Sequence, residues 1–242
     1  MDTRVADQLR LRGGHLDFIG RSHIWIDDYD RADSAQFAQF ALANALAHTA
    51  PGQLEVLVFD DALRGIAAPF QEVNSGGEKI LRHINDLQEL NETIKYLHEH
   101  VRSVLNVIQG RTESLLDFRQ QLSPKVEGFK LVVLSTIYDL LSDDIRDKLT
   151  VLLKAGPAAG VTFLIHSMKL KVNEEILDLT QLCDVDERTV YGNDGAVRGQ
   201  FDPQSTDDLI SVSRDVASAV ANAQVEPVAF SEVQPLDTPW SL

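Results

Sequence analysis

A short, predominantly apolar segment, Phe129 to Leu134, most strongly constrains the fold of this chain. It reads Phe-Lys-Leu-Val-Val-Leu, and apolar residues at consecutive positions are typical of a strand that is covered on both faces. Such strands occur almost only in parallel sheets with helices on either side. The segment therefore predicts an α/β fold in which this strand is central.

Other segments of the chain predict the rest of this fold. Further strands are expected at 23–26, 54–59 and 161–165, and helices over about 35–48, 142–154 and 205–221. Asp33 or Ser34 can cap the first of these helices. Residues 189–201 predict a hairpin that turns at 192–195. The alternation of strands and helices predicts a three-layer, mainly parallel sheet with right-handed crossovers and helices on both faces.

A long tract, residues 77–122, separates two of the expected strands. Its apolar residues recur by threes and fours from Ile80 to Ile108, which predicts a long helix with one buried stripe. A second helical segment should follow and end near Ser123-Pro124. The alternative is a solvated helical arm with a narrow apolar seam.

The composition excludes several classes of function. Acidic residues outnumber basic ones by 37 to 22, which gives a net charge of -15. This charge opposes the approach of a phosphate backbone, so we expect no direct DNA binding by this domain alone. No apolar stretch is long enough for a membrane span, and the N-terminus is charged where a signal segment would be apolar. We therefore expect a cytoplasmic protein.

Three segments carry a family resemblance through their order and spacing: Thr49 to Asp60, Phe129 to Leu141 and Lys154 to Val161. Together they resemble the FtsK/SpoIIIE-type motor module of the HerA/FtsK superfamily of P-loop ATPases, over about residues 20–200. The resemblance implies a RecA/FtsK-like P-loop NTPase fold with a long helical tract between core strands. Divergent members of this family occur within large multi-module ATPases. The resemblance therefore implies a neighbouring ATPase module or another protein as partner, and a possible oligomer.

The nucleotide-binding positions depart from the family pattern. A phosphate-binding loop needs glycines so that backbone N–H groups converge on the anion, a lysine for the β/γ-phosphates and a Ser or Thr for magnesium. The corresponding turn reads Asp-Asp-Tyr-Asp-Arg-Ala-Asp-Ser over 27–34, with no glycine or lysine and with four carboxylates. The strand that should end in an acidic pair ends in Ser135-Thr136. His166 to Lys169 stands where active relatives have a polar sensor segment.

These departures predict a degenerate nucleotide site. Its remnant positions are Asp30, Arg31, Asp33, Ser34, Ser135 and Thr136, and we expect no catalytic residue, metal ligand or cofactor. The chain is interpreted as a non-catalytic (pseudo-ATPase) module, a structural or regulatory partner of an active motor. One alternative is an active ATP-hydrolysing DNA translocase domain with unconventional motifs, which would bind ATP and magnesium. Another is a stand-alone adaptor that grips a protein through the 77–122 tract.

Two rival metal sites involve aspartates. Asp60 and Asp61, with Thr136 and Lys169, could supply the magnesium site of a response-regulator receiver. A receiver also needs a phospho-accepting aspartate on an intermediate strand, which the helical pattern of 77–122 excludes, so turn residues at a strand end are the alternative. Asp27, Asp28 and Asp30 could bind a hard cation, although the glycine and final glutamate of an EF-hand loop are missing. A solvated acidic loop is the other interpretation.

The remaining reactive side chains favour no catalytic site. His98, His100 and His166 lack the spacing of zinc ligands, so we expect surface or hydrogen-bonded core histidines. Cys183 is the only cysteine, which excludes an intramolecular disulfide. We expect it to be a buried, inert thiol whose pKa is raised by the acidic segment that follows.

The expected domain organisation has three parts. Residues 1–20 are interpreted as a lead-in, 21–222 as the α/β domain and 223–242 as a Pro-containing linker or junction segment. Three prolines exclude a helix after Val225, yet Phe230 and Trp240 are too apolar for a freely solvated linker. We expect this tail to pack on its own domain only in part, with Trp240 against a next module or another protein. A tail held in the domain's own groove is the alternative.

Overall fold

A computed structural model of the chain describes residues 4–27, 31–61, 63–121, 128–168 and 174–225. The strands are β1 (Gln8–Leu11), β2 (Gly14–Asp17), β3 (His23–Ile26), β4 (Leu54–Asp60), β5 (Leu81–Ile84), β6 (Phe129–Ser135), β7 (Val161–His166), β8 (Thr180–Asp186), β9 (Thr189–Gly192) and β10 (Val197–Gln200). The α-helices are α1 (Ala32–His48), α2 (Leu87–Ile108), α3 (Leu115–Gln121), α4 (Asp143–Ala155), α5 (Glu174–Asp178) and α6 (Thr206–Val225). Short 3₁₀ helices span Ala68–Gly76, Tyr138–Leu140 and Pro157–Ala159.

One large sheet contains most of the strands, in the order β10-β9-β8-β3-β7-β6-β4-β5. The strands from β8 to β5 are parallel, and β9 and β10 add an antiparallel edge. The apolar segment that begins at Phe129 forms β6, between β4 and β7, as predicted. The mainly parallel α/β fold predicted from the sequence is therefore confirmed.

The helices cover both faces of this sheet. The chain passes from β3 through α1 to β4 in one direction along the sheet, and returns through α2 to β6 and through α4 to β7. Right-handed crossovers place helices of opposite travel on opposite faces. α6 packs against α1 and the 3₁₀ helix Ala68–Gly76, whereas α2 packs against α3 and α4. The large buried side chains between these layers include Trp25, Phe37, Phe59, Phe129 and Phe163.

The 77–122 tract differs from the continuous helical pattern predicted for it. Its first part contains β5, the edge strand beyond β4, and α2 begins only at Leu87. Asn74 accounts for the strand, because its side-chain amide accepts from the Leu81 N–H and donates to the Leu81 carbonyl on the exposed edge. Asp86 then caps α2 by accepting from the Glu89 N–H at 2.8 Å. The apolar stripe of α2 is buried in the domain's own core, as the main interpretation expected.

Other sequence expectations hold or change in detail. The predicted hairpin forms as β9 and β10, and the predicted helices form as α1, α4 and α6. Strand β8 was not predicted. Arg31, not Asp33 or Ser34, is the N-cap residue of α1, and it makes no side-chain capping hydrogen bond. The predicted lead-in, residues 1–20, contains the hairpin β1–β2, and Arg12 pairs with Gln200 beside it. The tail from 226 to 242 lies outside the described residues.

Candidate functional site

The candidate site lies at the carboxyl edge of the parallel strands, where open α/β sheets bind their ligands. Asp27 follows β3, and Arg31, Asp33 and Ser34 lie at the start of α1. Ser135 ends β6 and Thr136 follows it. The fold thus brings five of the six predicted remnant positions to one edge, whereas Asp30 falls outside the described residues.

Three of the side chains at this edge form a buried chain of hydrogen bonds. His166, the last residue of β7, has its Nδ1 3.2 Å from Ser135 Oγ and its Nε2 3.3 Å from Ser34 Oγ. Ser34 Oγ in turn donates to the Arg31 carbonyl at 2.7 Å. All three side chains are completely buried. These contacts are satisfied by a neutral imidazole whose Nε2–H donates to Ser34 and whose Nδ1 accepts from Ser135.

Arg31 and Asp33 connect the start of α1 to the end of β8. The Arg31 guanidinium lies 2.6 Å from an Asp186 carboxylate oxygen and 3.7 Å from Asp33. Asp33 also accepts from the Glu187 N–H at 3.1 Å. Because the Arg31–Asp186 pair is largely exposed, it contributes at most about 1 kcal/mol to stability. The pair matters more for the position of the Arg31 side chain. The guanidinium, the only cation of this turn in the sequence, points towards carboxylates of the protein itself.

A cleft of about 560 Å³ opens beside this turn. Its lining includes Asp27, Arg31, Asp184, Asp186 and Tyr191. Three carboxylates therefore face this space, together with one guanidinium that is already paired with Asp186. Ser34 and Ser135 do not line the cleft, because they are completely buried. The cleft is electrostatically unsuited to a polyphosphate.

The acidic pair after β4 has structural partners. Asp60 accepts from the N–H groups of Arg64 and Gly65 at 2.9 and 2.8 Å, so it holds the turn that follows the strand. Asp61 accepts from the Thr136 hydroxyl at 2.7 Å. This supports the interpretation of Asp60 and Asp61 as turn residues. The only strand between β4 and β6 in sequence is β5, which lies beyond β4 at the sheet edge, so the central strand of a receiver site is absent among the described residues.

The other metal and nucleophile candidates that the structure describes have structural explanations, whereas Asp28 and Asp30 lie outside the described residues. Within the described ranges, no group of three or more His, Cys, Asp or Glu side chains could hold a metal ion. His98 contacts the Lys148 carbonyl at 3.1 Å, as expected for a hydrogen-bonded histidine. Cys183 is buried, and burial raises the pKa of its thiol to about 12. The cause is therefore desolvation and not the acidic segment that the sequence suggested.

Sequence reasoning missed an apolar groove at the opposite edge of the sheet. It has a volume of about 350 Å³ and lies between the end of α1, the start of β4 and α6. Its lining includes Leu46, Pro51, Leu54, Val216 and Val220. The spacing of Val212, Val216 and Val220 in the last helix was the available signal, because residues four apart share one helical face.

Neither a protein-family model nor a curated protein sequence matches the chain. Solved structures do match it. EssC (ATPases 2 and 3) from Geobacillus thermodenitrificans matches 93% of this chain with a TM-score of 0.67 and 13% identity. EccC (ATPases 2 and 3) from Thermomonospora curvata, in complex with a signal sequence peptide, matches 86% with a TM-score of 0.65 and 14% identity. The chain has the fold of a P-loop ATPase module.

This finding confirms the resemblance predicted from the sequence, at the level of the fold. EssC and EccC are type VII secretion ATPases of the FtsK/SpoIIIE type. The chain spans only 51% of the matched EssC chain and 44% of the matched EccC chain. The structural matches establish a shared fold, but sequence identities of 13% and 14% do not establish shared chemistry. The chemistry of this module must therefore be argued from its own side chains.

Proposed function

We propose that this chain is a non-catalytic, pseudo-ATPase module that acts as a structural or regulatory partner of an active FtsK/SpoIIIE-type motor. The buried network of Ser34, His166 and Ser135 carries the proposal. In the family pattern, a Ser or Thr of the phosphate-binding loop binds magnesium, and the acidic pair at the strand end binds magnesium and activates water. Ser34 and Ser135 stand at the corresponding positions of this chain. Here their hydroxyl groups bond to protein atoms in the buried interior. A nucleotide could reach them only if these hydrogen bonds were broken, and leaving buried polar groups unpaired is costly.

The residues present do not fit ATP and magnesium. The turn before α1 has no glycine, so its backbone N–H groups lack the usual means of converging on a phosphate. Asp33 is in the first turn of α1, where a bound anion would meet its charge. Each like-charge pair at about 4 Å costs roughly 1 kcal/mol in water and about 4 kcal/mol at an effective dielectric constant of 20. Arg31, the only cation in the 27–34 segment of the sequence, is paired with Asp186.

The architecture of the structural neighbours supports an ATPase module as the partner. The matched EssC and EccC structures each contain ATPases 2 and 3 within one chain. We infer that this module likewise works beside another ATPase module, in the cytoplasm and without contacting DNA itself. None of the described helices is long and apolar enough to cross a membrane.

Measuring ATP hydrolysis tests this proposal against an active motor with unconventional residues. We expect phosphate release by the purified chain to stay at the background rate, and to be equally low in Ser34→Ala and Thr136→Ala variants. A turnover that disappears in either variant would show that these positions hold a nucleotide, and would establish the catalytic alternative. A turnover that both variants keep would point to a contaminating ATPase, which repeated purification removes.

A second candidate function is peptide binding in the apolar groove between α1, β4 and α6. The groove lining is mostly apolar, with Arg4 and Asp215 as its charged members, and one structural neighbour was solved with a signal sequence peptide. We infer that an extended apolar peptide could bind here. This site replaces the 77–122 tract as the basis for an adaptor, because the stripe of α2 is already buried.

A fluorescent apolar peptide titrated into the chain tests this second function. Ala219 lines the groove and is exposed, so Ala219→Trp should fill it and weaken binding at least about tenfold. Ser218→Trp adds the same side chain at an exposed neighbouring position that does not line the groove. Equal affinities in the two variants would exclude the groove as the binding site.

A further inference from the structure

Two leucines protrude into solvent at the carboxyl edge of the sheet. Leu63 is 88% exposed and Leu140 is 77% exposed, the highest values among the large apolar side chains of the described residues. Leu63 follows β4 and Leu140 follows β6, and these two strands are direct neighbours. A single exposed leucine is ordinary. Two exposed leucines on adjacent connections of one edge are less ordinary, and this part of the surface is here called the leucine edge.

The backbone of the leucine edge is held in place by hydrogen bonds. Asp60 accepts from two N–H groups of the turn that contains Leu63. Tyr138, at the start of the 3₁₀ helix that contains Leu140, donates its N–H to Ser167 Oγ at 2.9 Å and packs its ring against Trp25. The Asp61–Thr136 hydrogen bond joins the two connections. The leucines are therefore presented by pre-organised backbone, which lowers the entropic cost of binding a partner.

The backbone conformation of Leu63 adds an independent observation. Its φ is +52°, in the left-handed region, which costs a residue with a Cβ about 1–2 kcal/mol. Glycine or asparagine adopts this conformation more readily. The exposed leucine side chain gains little burial within this chain to offset the strain. Burial of the Leu63 side chain against a bound partner would offset this cost and would account for a leucine at this position.

The charges around the leucine edge define the chemistry of its partner. The charged side chains nearest to Leu63 in sequence are Asp61 and Arg64, and those nearest to Leu140 are Asp139 and, at the start of α4, Asp143 and Asp144. Arg146 on α4 pairs with Asp143, and Asp27, Asp184 and Asp186 line the cleft farther along the same edge. Among the described residues, acidic side chains therefore outnumber basic ones around the two leucines. A second copy of this chain would bring like charges together, which disfavours self-association through this edge.

We propose that the leucine edge docks a partner protein through apolar contacts of Leu63 and Leu140, and that this partner surface carries lysine or arginine around its apolar centre. The idea that the partner is an ATPase module rests on the proposed function. The docking surface itself is independent of the proposed function. It rests on the exposure of the two leucines, the left-handed backbone of Leu63 and the acidic side chains nearby.

Selection from a phage-displayed library of random peptides tests the docking surface without a known partner. The full chain is the bait, and each enriched peptide is synthesised and titrated into it at low and moderate salt. We expect enriched peptides that combine large apolar residues with lysine or arginine, and binding that weakens with added salt. Leu63→Asn and Leu140→Ser should each weaken this binding at least about tenfold.

Two variants separate docking from folding. Leu63→Asn suits the left-handed backbone, so its midpoint of thermal unfolding should equal or exceed that of the unmodified chain while its binding falls. Val151→Ser replaces another exposed apolar residue, 53% exposed on α4, and should leave binding unchanged. The proposal is overturned if no peptide is enriched, if the enriched peptides lack basic residues, or if their affinities survive both leucine substitutions. None of these outcomes depends on whether the chain binds ATP.

Discussion

The buried side chain of His23 should make this domain less stable as the pH falls below about 6.5. His23 begins β3, the strand that leads to the candidate site, and its side chain is completely buried. Its Nε2–H donates to the Leu153 carbonyl at 2.9 Å, and its Nδ1 accepts from the Phe163 N–H at 2.9 Å. Burial lowers the pKa of His23 from 6.5 to about 4, opposed by the hydrogen bond to Leu153. The neutral imidazole is therefore the form that folds.

Stability falls with pH because the unfolded chain binds a proton at His23 at a higher pH than the folded chain does. As the pH falls below 6.5, the unfolded chain protonates His23 while the folded chain does so only near pH 4. Stability is therefore complete above about pH 6.5, falls between about pH 6.5 and 4, and levels off below. The full loss is about 3 kcal/mol, and the loss between about pH 7 and pH 5 is about 2 kcal/mol.

Urea unfolding followed by circular dichroism at several pH values measures this loss. Acid also protonates carboxylates, so the informative quantity is the difference between the unmodified chain and His23→Gln. Glutamine can donate and accept hydrogen bonds but does not titrate. The variant should be less stable at about pH 7, yet it should lose about 2 kcal/mol less between about pH 7 and pH 5. Parallel pH profiles for the two proteins would refute the reasoning.

Three further predictions concern the buried network, close packing and charge. His166→Ala should lower the free energy of unfolding by about 2–4 kcal/mol, measured in urea, because it removes the hydrogen bonds of the imidazole to Ser34 and Ser135 and creates a cavity. Gly76→Ala should lower the free energy of unfolding by more than about 2 kcal/mol, because the added Cβ would clash with the Ala217 carbonyl oxygen. Gly110→Ala is the control, because its Cβ would meet no atom within 4 Å. It should cost only about 1 kcal/mol, for its left-handed backbone. The chain should not shift duplex DNA in a gel at low-micromolar protein near physiological salt, because its net charge is -15, and a shift that weakens with added salt would contradict this.

The central sheet could be predicted from sequence because its signal is local. The run that became β6 is apolar at consecutive positions, which only a strand covered on both faces explains well. Strand β8 carries a weaker signal, since Asp184 and Asp186 are exposed on it and alternate with buried Cys183 and Val185. Strand β5 was hidden because Ile80 and Ile84 also fit a helical repeat. The deciding contact, from Asn74 to Leu81, depends on how the preceding 3₁₀ helix is placed.

The candidate site was predictable in position and not in its interactions. The missing glycines and the Ser135-Thr136 pair could be read directly at two strand ends. The partners of these residues could not, because His166 meets Ser34 from 132 positions away in sequence. The pairing of Arg31 with Asp186 depends on β8, which had not been predicted. The leucine edge likewise required knowledge of which connections lie next to each other.

Calorimetric titration of the chain with ATP and magnesium tests the central claim most directly. The account predicts no saturable heat up to about 1 mM nucleotide, which corresponds to binding weaker than about 4 kcal/mol. An active P-loop ATPase titrated in the same buffer serves as the positive control, and a thermal-unfolding midpoint unchanged by nucleotide should accompany the result. A micromolar dissociation constant that is lost in Ser34→Ala or Thr136→Ala would contradict the account and make this chain a nucleotide-binding module.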